Sequence, residues 1–160
     1  MKIFKIALAI ILMVGLLAGT MGCKKTTGGG WFIDEFTGNK VTFGFNAQPV
    51  GEPWIDPYGN WYRDAKGQFQ LIDHGAKIRI HGTFTTTWAE DGTNETDFVS
   101  YDASVNGVGG YGVCVLLRDY GEPGPSAGDA IAIPWVRDSF GNVVYDAQGY
   151  LGGGNIQVHK

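Results

Sequence analysis

The stretch Lys77-Ile-Arg-Ile-His-Gly-Thr-Phe-Thr-Thr-Thr-Trp88 alternates apolar and polar side chains along its whole length. Its apolar members fall on one face of an extended chain: Ile78, Ile80, Phe84 and Trp88. Successive side chains of a β-strand point to opposite faces of the sheet. A period of two with one apolar face therefore predicts an antiparallel strand that is half exposed to water.

The same period recurs in three further runs, Lys40–Asn46, Phe98–Val105 and Ala130–Val136. We expect their inward faces to include Val41, Phe43, Phe45, Val99, Tyr101, Ala103, Val105, Ile131, Ile133 and Trp135. Between two runs, Asn106-Gly107 indicates a tight hairpin, because both residues accept a positive φ. No helical period of ten residues occurs beyond Lys25. The sequence therefore predicts an all-β fold, an antiparallel sandwich or a partly closed barrel of about eight or nine strands.

The first 22 residues have the layout of a secretory signal. Lys2 and Lys5 form a basic start, which precedes an apolar run from Ile6 to Leu17 and a small-residue stretch that ends at Gly22. The apolar run is shorter than the roughly 20 residues that a membrane-spanning helix needs. We therefore expect residues 1–22 to be a signal helix that directs export and is then removed.

Cys23 follows Gly22 directly and precedes a short basic and glycine-rich segment. This arrangement resembles the signal of bacterial lipoproteins, although Thr20 stands where that signal favours Leu. The resemblance predicts a lipid on Cys23. We therefore expect an anchor and flexible linker over residues 23–30, and the length of the remaining chain predicts a single β domain over residues 31–160. The domain would be held at a bacterial membrane and face the periplasm or the outside. The alternative is ordinary cleavage that leaves Cys23 as a free thiol.

Net charge and cysteine content limit the range of possible functions. Loss of residues 1–22 would remove two of the twelve basic residues and none of the sixteen acidic ones, which leaves a side-chain charge of −6. A chain of that sign gains nothing from a phosphate backbone, so no nucleic-acid partner is predicted. Cys114 lies in an apolar run and is predicted to be a buried core residue rather than a reactive thiol.

One segment occurs twice, since residues 56–67 return as residues 138–149 with six of the twelve positions identical. Each copy is predicted to hold two Asp-x-x-Gly turns, because Asp accepts backbone N–H bonds and Gly takes the left-handed position. The oxygen-ligand spacing of an EF-hand calcium loop is not met. The segments are therefore interpreted as turns rather than cation sites.

No catalytic or metal-binding pattern stands out. The histidines have no acidic or thiol companion at a metal-ligand spacing; they are His74, His81 and His159. No serine-nucleophile elbow is present. We predict no metal, no cofactor and no enzymatic activity. The alternative is a small secreted enzyme that acts on a glycan, and two carboxyl groups facing each other across a groove would favour it.

Aromatic side chains concentrate in and before the first Asp-rich segment: Trp54, Tyr58, Trp61 and Tyr62. They either pack on the sheet or form a platform for a glycan or an envelope protein. Trp and Tyr suit such a platform because they offer a large contact area with little conformational entropy to lose. These four residues are the predicted ligand-binding set of a module that binds or is structural.

Seven segments together resemble one family: Gly28–Phe32, Val41–Phe45, Gly67–Leu71, Ile80–Thr83, Val105–Val108, Val143–Asp146 and Leu151–Lys160. They are similar to the post-COAP domain found at the C-terminal ends of bacterial surface proteins. The two glycine-rich ends are the most specific part of the match. The resemblance implies a β fold and a cell-surface location, and it assigns no residue roles.

The glycine triplets 28–30 and 152–154 each precede an apolar strand. Glycines within strands mark bulges or a close approach of two backbones. Pairing of the first and last strands would also protect the exposed edges of the sheet. We therefore predict that Trp31–Ile33 and Ile156–Val158 belong to neighbouring strands.

Overall fold

A computed structural model describes residues 25–88 and 94–159, which form nine strands and one helical turn. The strands are β1 (Thr26–Ile33), β2 (Lys40–Ile55), β3 (Trp61–Asp73), β4 (Ile78–Thr83), β5 (Thr86–Trp88), β6 (Glu95–Val105), β7 (Val108–Arg118), β8 (Ala130–Arg137) and β9 (Val143–Val158). The helical turn, α1 (Gly124–Ala127), lies between β7 and β8. The all-β prediction is confirmed. The predicted signal over residues 1–22 and Cys23 lie outside the described residues.

All pairings in the sheet are antiparallel, and the sheet closes in a ring. The order is β2-β1-β9-β8-β7-β6-β4-β3, and β3 pairs back to β2. β5 continues β4 in the position between β3 and β6. The described strands therefore form one closed sheet rather than the two stacked sheets of a sandwich.

The predicted pairing of the first and last strands is confirmed. Thr26 lies opposite Val158, and the two strands stay paired as far as Phe32 and Leu151. A side chain on Gly30 would collide with the carbonyl oxygen of Gly153. Gly30 and Gly154 are therefore required by the close approach of two backbones, whereas Gly152 and Gly153 leave room for the Trp31 ring.

The ring begins earlier in the chain than the sequence indicated. Residues 26–30, predicted as part of a flexible linker, form the first five residues of β1. Thr26 is fully buried, so residues 26–30 belong to the folded β sheet and not to a linker. Glycine content indicated a linker, whereas these glycines are paired on both sides, with β2 and with β9.

Apolar side chains from every strand of the ring except the short β5 fill its interior. The largest fully buried ones are Phe32, Phe98, Leu71, Ile80, Leu117, Ile133 and Ile156. Among the residues predicted to face inward, Tyr101 is 68% exposed, and Trp135 is only partly buried, with the Arg137 guanidinium over its ring. Both lie at register shifts, where a β-bulge reverses the face that the next side chain occupies.

Two local predictions are confirmed. Asn106 and Gly107, with φ values of 50° and 83°, close the hairpin between β6 and β7. Cys114 is buried, and burial raises the pKa of its thiol to about 12. Within the described ranges, no helix is long and apolar enough to cross a membrane.

Candidate functional site

The two ends of the ring differ in the chain segments that extend from them. β1 begins and β9 ends at the same end, because Thr26 pairs with Val158. We call this the N-terminal end. β2 passes the partner of Thr26, Ala47, and continues eight residues further to Ile55. The β2–β3 ribbon therefore projects beyond the ring at the N-terminal end.

The ribbon closes through a turn held by Asp56. One carboxylate oxygen accepts the backbone N–H groups of Tyr58 and Asn60 at 2.8 and 2.9 Å, and the other accepts the Asn60 side chain at 2.9 Å. The Asn60 side chain is the main reason that the pKa of Asp56 is held below its usual value, and the backbone N–H groups add to it. The first predicted Asp-x-x-Gly turn is confirmed.

The same turn recurs at the other end of the ring, between β8 and β9. Asp138 accepts the backbone N–H groups of Phe140 and Asn142, both at 2.9 Å. Its pKa is lowered, chiefly by the Asn142 side chain. The two turns thus share one hydrogen-bonding pattern and each displays one aromatic ring, Tyr58 or Phe140, which are 91% and 88% exposed.

The second Asp-x-x-Gly of each repeat is not a turn, so that prediction is wrong. Residues 64–67 lie inside β3, and residues 146–149 lie inside β9. A side chain on Gly67 would collide with the carbonyl oxygen of Asn46, and one on Gly149 would press on that of Ile33. Here glycine permits a close approach of strands rather than a reversal of the chain.

The structure divides the four predicted ligand-binding aromatics into two pairs. Trp54 and Tyr62 lie opposite each other on the outer face, with stacked rings 4.8 Å apart. Trp61 pairs with Ile55, and both point to the opposite face of the ribbon, since side chains alternate along a strand. We call Ile55, Tyr58 and Trp61 the tip. All three tip residues are exposed.

A third ring joins the outer pair. Trp88 lies opposite Tyr62, and their ring centroids are 6.1 Å apart. The sequence placed Trp88 on the inner face, together with Phe84. The break between β4 and β5 shifts the alternation of inward and outward side chains by one residue. Thr87 is therefore buried, and Trp88 points outward. No pattern within residues 77–88 indicates this break.

The register of the ring extends this stack into a line of outward side chains. Trp88 donates its backbone N–H to Asp97, which lies opposite Leu116. Leu116 lies opposite Ala132, and Ala132 lies opposite Gln148. We call this line the outer row: Trp54, Tyr62, Trp88, Asp97, Leu116, Ala132 and Gln148. Its residues come from seven different parts of the chain.

A groove of about 430 Å³ lies along the second half of the outer row. Its lining includes the small side chains of Ala130 and Ala132. Two aromatic residues, Trp88 and Tyr150, also line it. The volume is in the range of sites that bind small organic molecules.

The charged groups of the groove are mostly acidic. Glu95 pairs with Arg118 at 2.7 Å, and Glu35 accepts a hydrogen bond from the Gln148 side chain at 2.9 Å. Asp97 accepts the Trp88 backbone N–H at 3.1 Å. Three carboxylates and one guanidinium thus line the groove. Carboxylates only accept hydrogen bonds, so the groove is suited to a ligand that is rich in donors.

The structure places the histidines apart from this groove. His74 and His159 are hydrogen-bonded to the hydroxyl groups of Thr42 and Thr27. In residues 25–88 and 94–159, no three His, Cys, Asp or Glu side chains come together as a metal-ligand set. No protein-family model, curated protein or solved structure matches this chain.

Proposed function

We propose that this chain is an exported, lipid-anchored β domain that binds a glycan in the groove. The observation that carries the proposal is the continuity of the outer row, in which three neighbouring aromatic rings lead to a groove of about 430 Å³. Exposed, adjacent aromatic rings offer a flat apolar surface, and the groove supplies hydrogen-bonding groups beside it.

The chemistry of the groove favours an uncharged sugar or an amino sugar. The C–H face of a pyranose ring stacks on Trp or Tyr, and its hydroxyl groups donate hydrogen bonds to carboxylates. Glu35, Glu95 and Asp97 would repel the carboxylate or sulfate of an acidic sugar, and Arg118 already pairs with Glu95. Acidic polysaccharides are therefore poor candidates.

The signal-like N-terminus supports the proposed location. Export and a lipid on Cys23 would hold the domain at a bacterial membrane, facing the periplasm or the outside. The resemblance to the post-COAP domain agrees with a place at the cell surface. In that setting, a glycan or an envelope protein is within reach of the domain.

A glycan-acting enzyme is the second candidate, because three carboxylates line one groove. Each of them, however, is already engaged within the domain. Asp97 and Glu35 each accept a hydrogen bond, and Glu95 pairs with the Arg118 guanidinium. A binding role requires no further change in these contacts. We therefore propose binding without cleavage.

Titration with two soluble probes tests the proposal: chitohexaose and cellohexaose, the β-1,4-linked hexamers of N-acetylglucosamine and of glucose. We expect the Trp54 and Trp88 indole N–H signals to shift in NMR spectra. Trp88→Ala should weaken binding at least tenfold, because a stacked Trp at the centre of a contact contributes about 2 kcal/mol or more.

The matched control is Tyr101→Ala, which removes an exposed ring that does not line the groove. It should leave the affinity unchanged. Equal affinity in Trp88→Ala and the wild type, or no binding of either probe at millimolar concentration, would contradict the proposal. Release of shorter sugars during the titration would support the enzyme instead.

A further inference from the structure

The tip is an apolar surface that the outer row does not use. Ile55 and Trp61 are each 51% exposed, and Tyr58 is almost fully exposed. Among the described residues, neither the Tyr58 ring nor the Trp61 ring packs on another aromatic ring. We infer that the tip contacts the surface of the membrane to which the domain is anchored. This inference rests on the proposed anchor at Cys23.

The position of the anchor carries the inference. Thr26 is fully buried and fixed between β2 and β9, and only two residues separate it from Cys23. An extended chain spans about 3.5 Å per residue, so a lipid on Cys23 starts within about 10 Å of the N-terminal end of the ring. That end therefore faces the membrane.

The tip is located at the same end, where the adjacent strand β2 turns into β3. β1 pairs with β2, and β2 extends beyond the level of Thr26 until Ile55. The ribbon thus projects in the direction in which the chain leaves the ring toward Cys23. A domain held by so short a tether presents this ribbon to the lipid headgroups first.

The side chains of the tip suit the boundary between water and lipid. Trp and Tyr are enriched at that boundary because their rings are apolar and carry one polar group. Glu52 and Asp56 lie on the same ribbon and oppose deep insertion. The Asp56 carboxylate is already hydrogen-bonded within the turn. The contact is therefore shallow, at the headgroup level.

The second turn provides a control within the same molecule. Phe140 occupies the position of Tyr58 in a turn with the same hydrogen bonds, and it is equally exposed. It lies in the turn before β9, whereas Val158 ends β9 beside Thr26. The two rings therefore sit at opposite ends of the ring of strands.

The test attaches the chain from Cys23 onward to vesicles by chemical means. Cys23 is coupled to a maleimide lipid in phosphatidylcholine vesicles that contain brominated chains, which quench nearby indoles. Cys114 does not compete for maleimide because it is buried and its pKa is raised. Tyr58→Trp and Phe140→Trp each add one indole to an otherwise identical protein.

We expect the emission added by Tyr58→Trp to fall by about twofold or more when the bromine atoms lie on the part of the chains closest to the headgroups, since an interfacial ring lies next to that depth. The emission added by Phe140→Trp should not change. Trp61→Phe should reduce the quenching of the native protein. Because coupling is chemical, this result does not depend on whether a cell attaches a lipid to Cys23.

Three results would overturn the inference. The first is absence of quenching in Tyr58→Trp, and the second is equal quenching at positions 58 and 140. The third is a Tyr58→Trp signal that chitohexaose shifts in solution but vesicles do not quench, which would assign the tip to a glycan. None of these results would contradict glycan binding in the groove, because Trp88 is not part of the tip.

Discussion

Gly154→Ala is expected to lower the free energy of unfolding by about 3 kcal/mol or more. Gly154 has a φ of 101°, and a side chain there would collide with the backbone of Gly29 and Gly30. The left-handed conformation alone costs a non-glycine residue roughly 1–2 kcal/mol, and forced overpacking adds a further 1–3 kcal/mol. Urea unfolding followed by circular dichroism measures the change.

Gly110→Ala separates the two causes of that loss. Gly110 has a similar φ of 92°, but nothing lies within 4 Å of the position that a side chain would take. Its substitution should therefore cost only the conformational part, about 1–2 kcal/mol. Equal losses at positions 110 and 154 would mean that the close approach of β1 and β9 contributes nothing to stability.

Asp129→Ala should destabilise the domain by about 3 kcal/mol, because it would leave two backbone N–H groups without an acceptor and each such loss costs about 1–3 kcal/mol. Asp129 is fully buried in the connection between β7 and β8. Its carboxylate accepts the N–H groups of Tyr120 and Ile156 at 2.9 and 3.0 Å. It thereby joins the β7–β8 connection to the part of β9 that extends past its pairing with β8. Thermal and urea unfolding report the loss.

Asp138→Ala is the matched control for Asp129→Ala. The Asp138 carboxylate also accepts two backbone N–H groups, but its turn is exposed and water can replace the lost acceptor. Its substitution should have a much smaller effect. If Asp129→Ala were as mild as Asp138→Ala, the β7–β8 connection would not be held by the buried carboxylate.

The fold class follows from the alternation of residues 77–88 and its repeats, because a period of two reports which side chains share a face. The pairing of β1 with β9 follows from the glycine triplets. The inward positions of Tyr101 and Trp135 were wrong because a bulge depends on the partner strand. Nothing in the bulged strand itself indicates where the phase changes.

The candidate site could be predicted only in part. Trp54 and Tyr62 were predicted because aromatic residues concentrate in and before the first Asp-rich segment. Trp88 and the groove were not, because the residues that line it come from separate strands. The register of the closed sheet brings Glu35, Asp97 and Gln148 to one surface, and that register is a property of the whole ring.

Mass spectrometry of the mature N-terminus tests the central claim, a β domain tethered at Cys23, most directly. The full-length chain is expressed in a bacterium, extracted from the membrane fraction and digested. We predict that its first residue is Cys23 and that this residue carries a lipid. Cys23→Ser should move the chain out of the membrane fraction. An unmodified peptide that includes Cys23 would contradict the account.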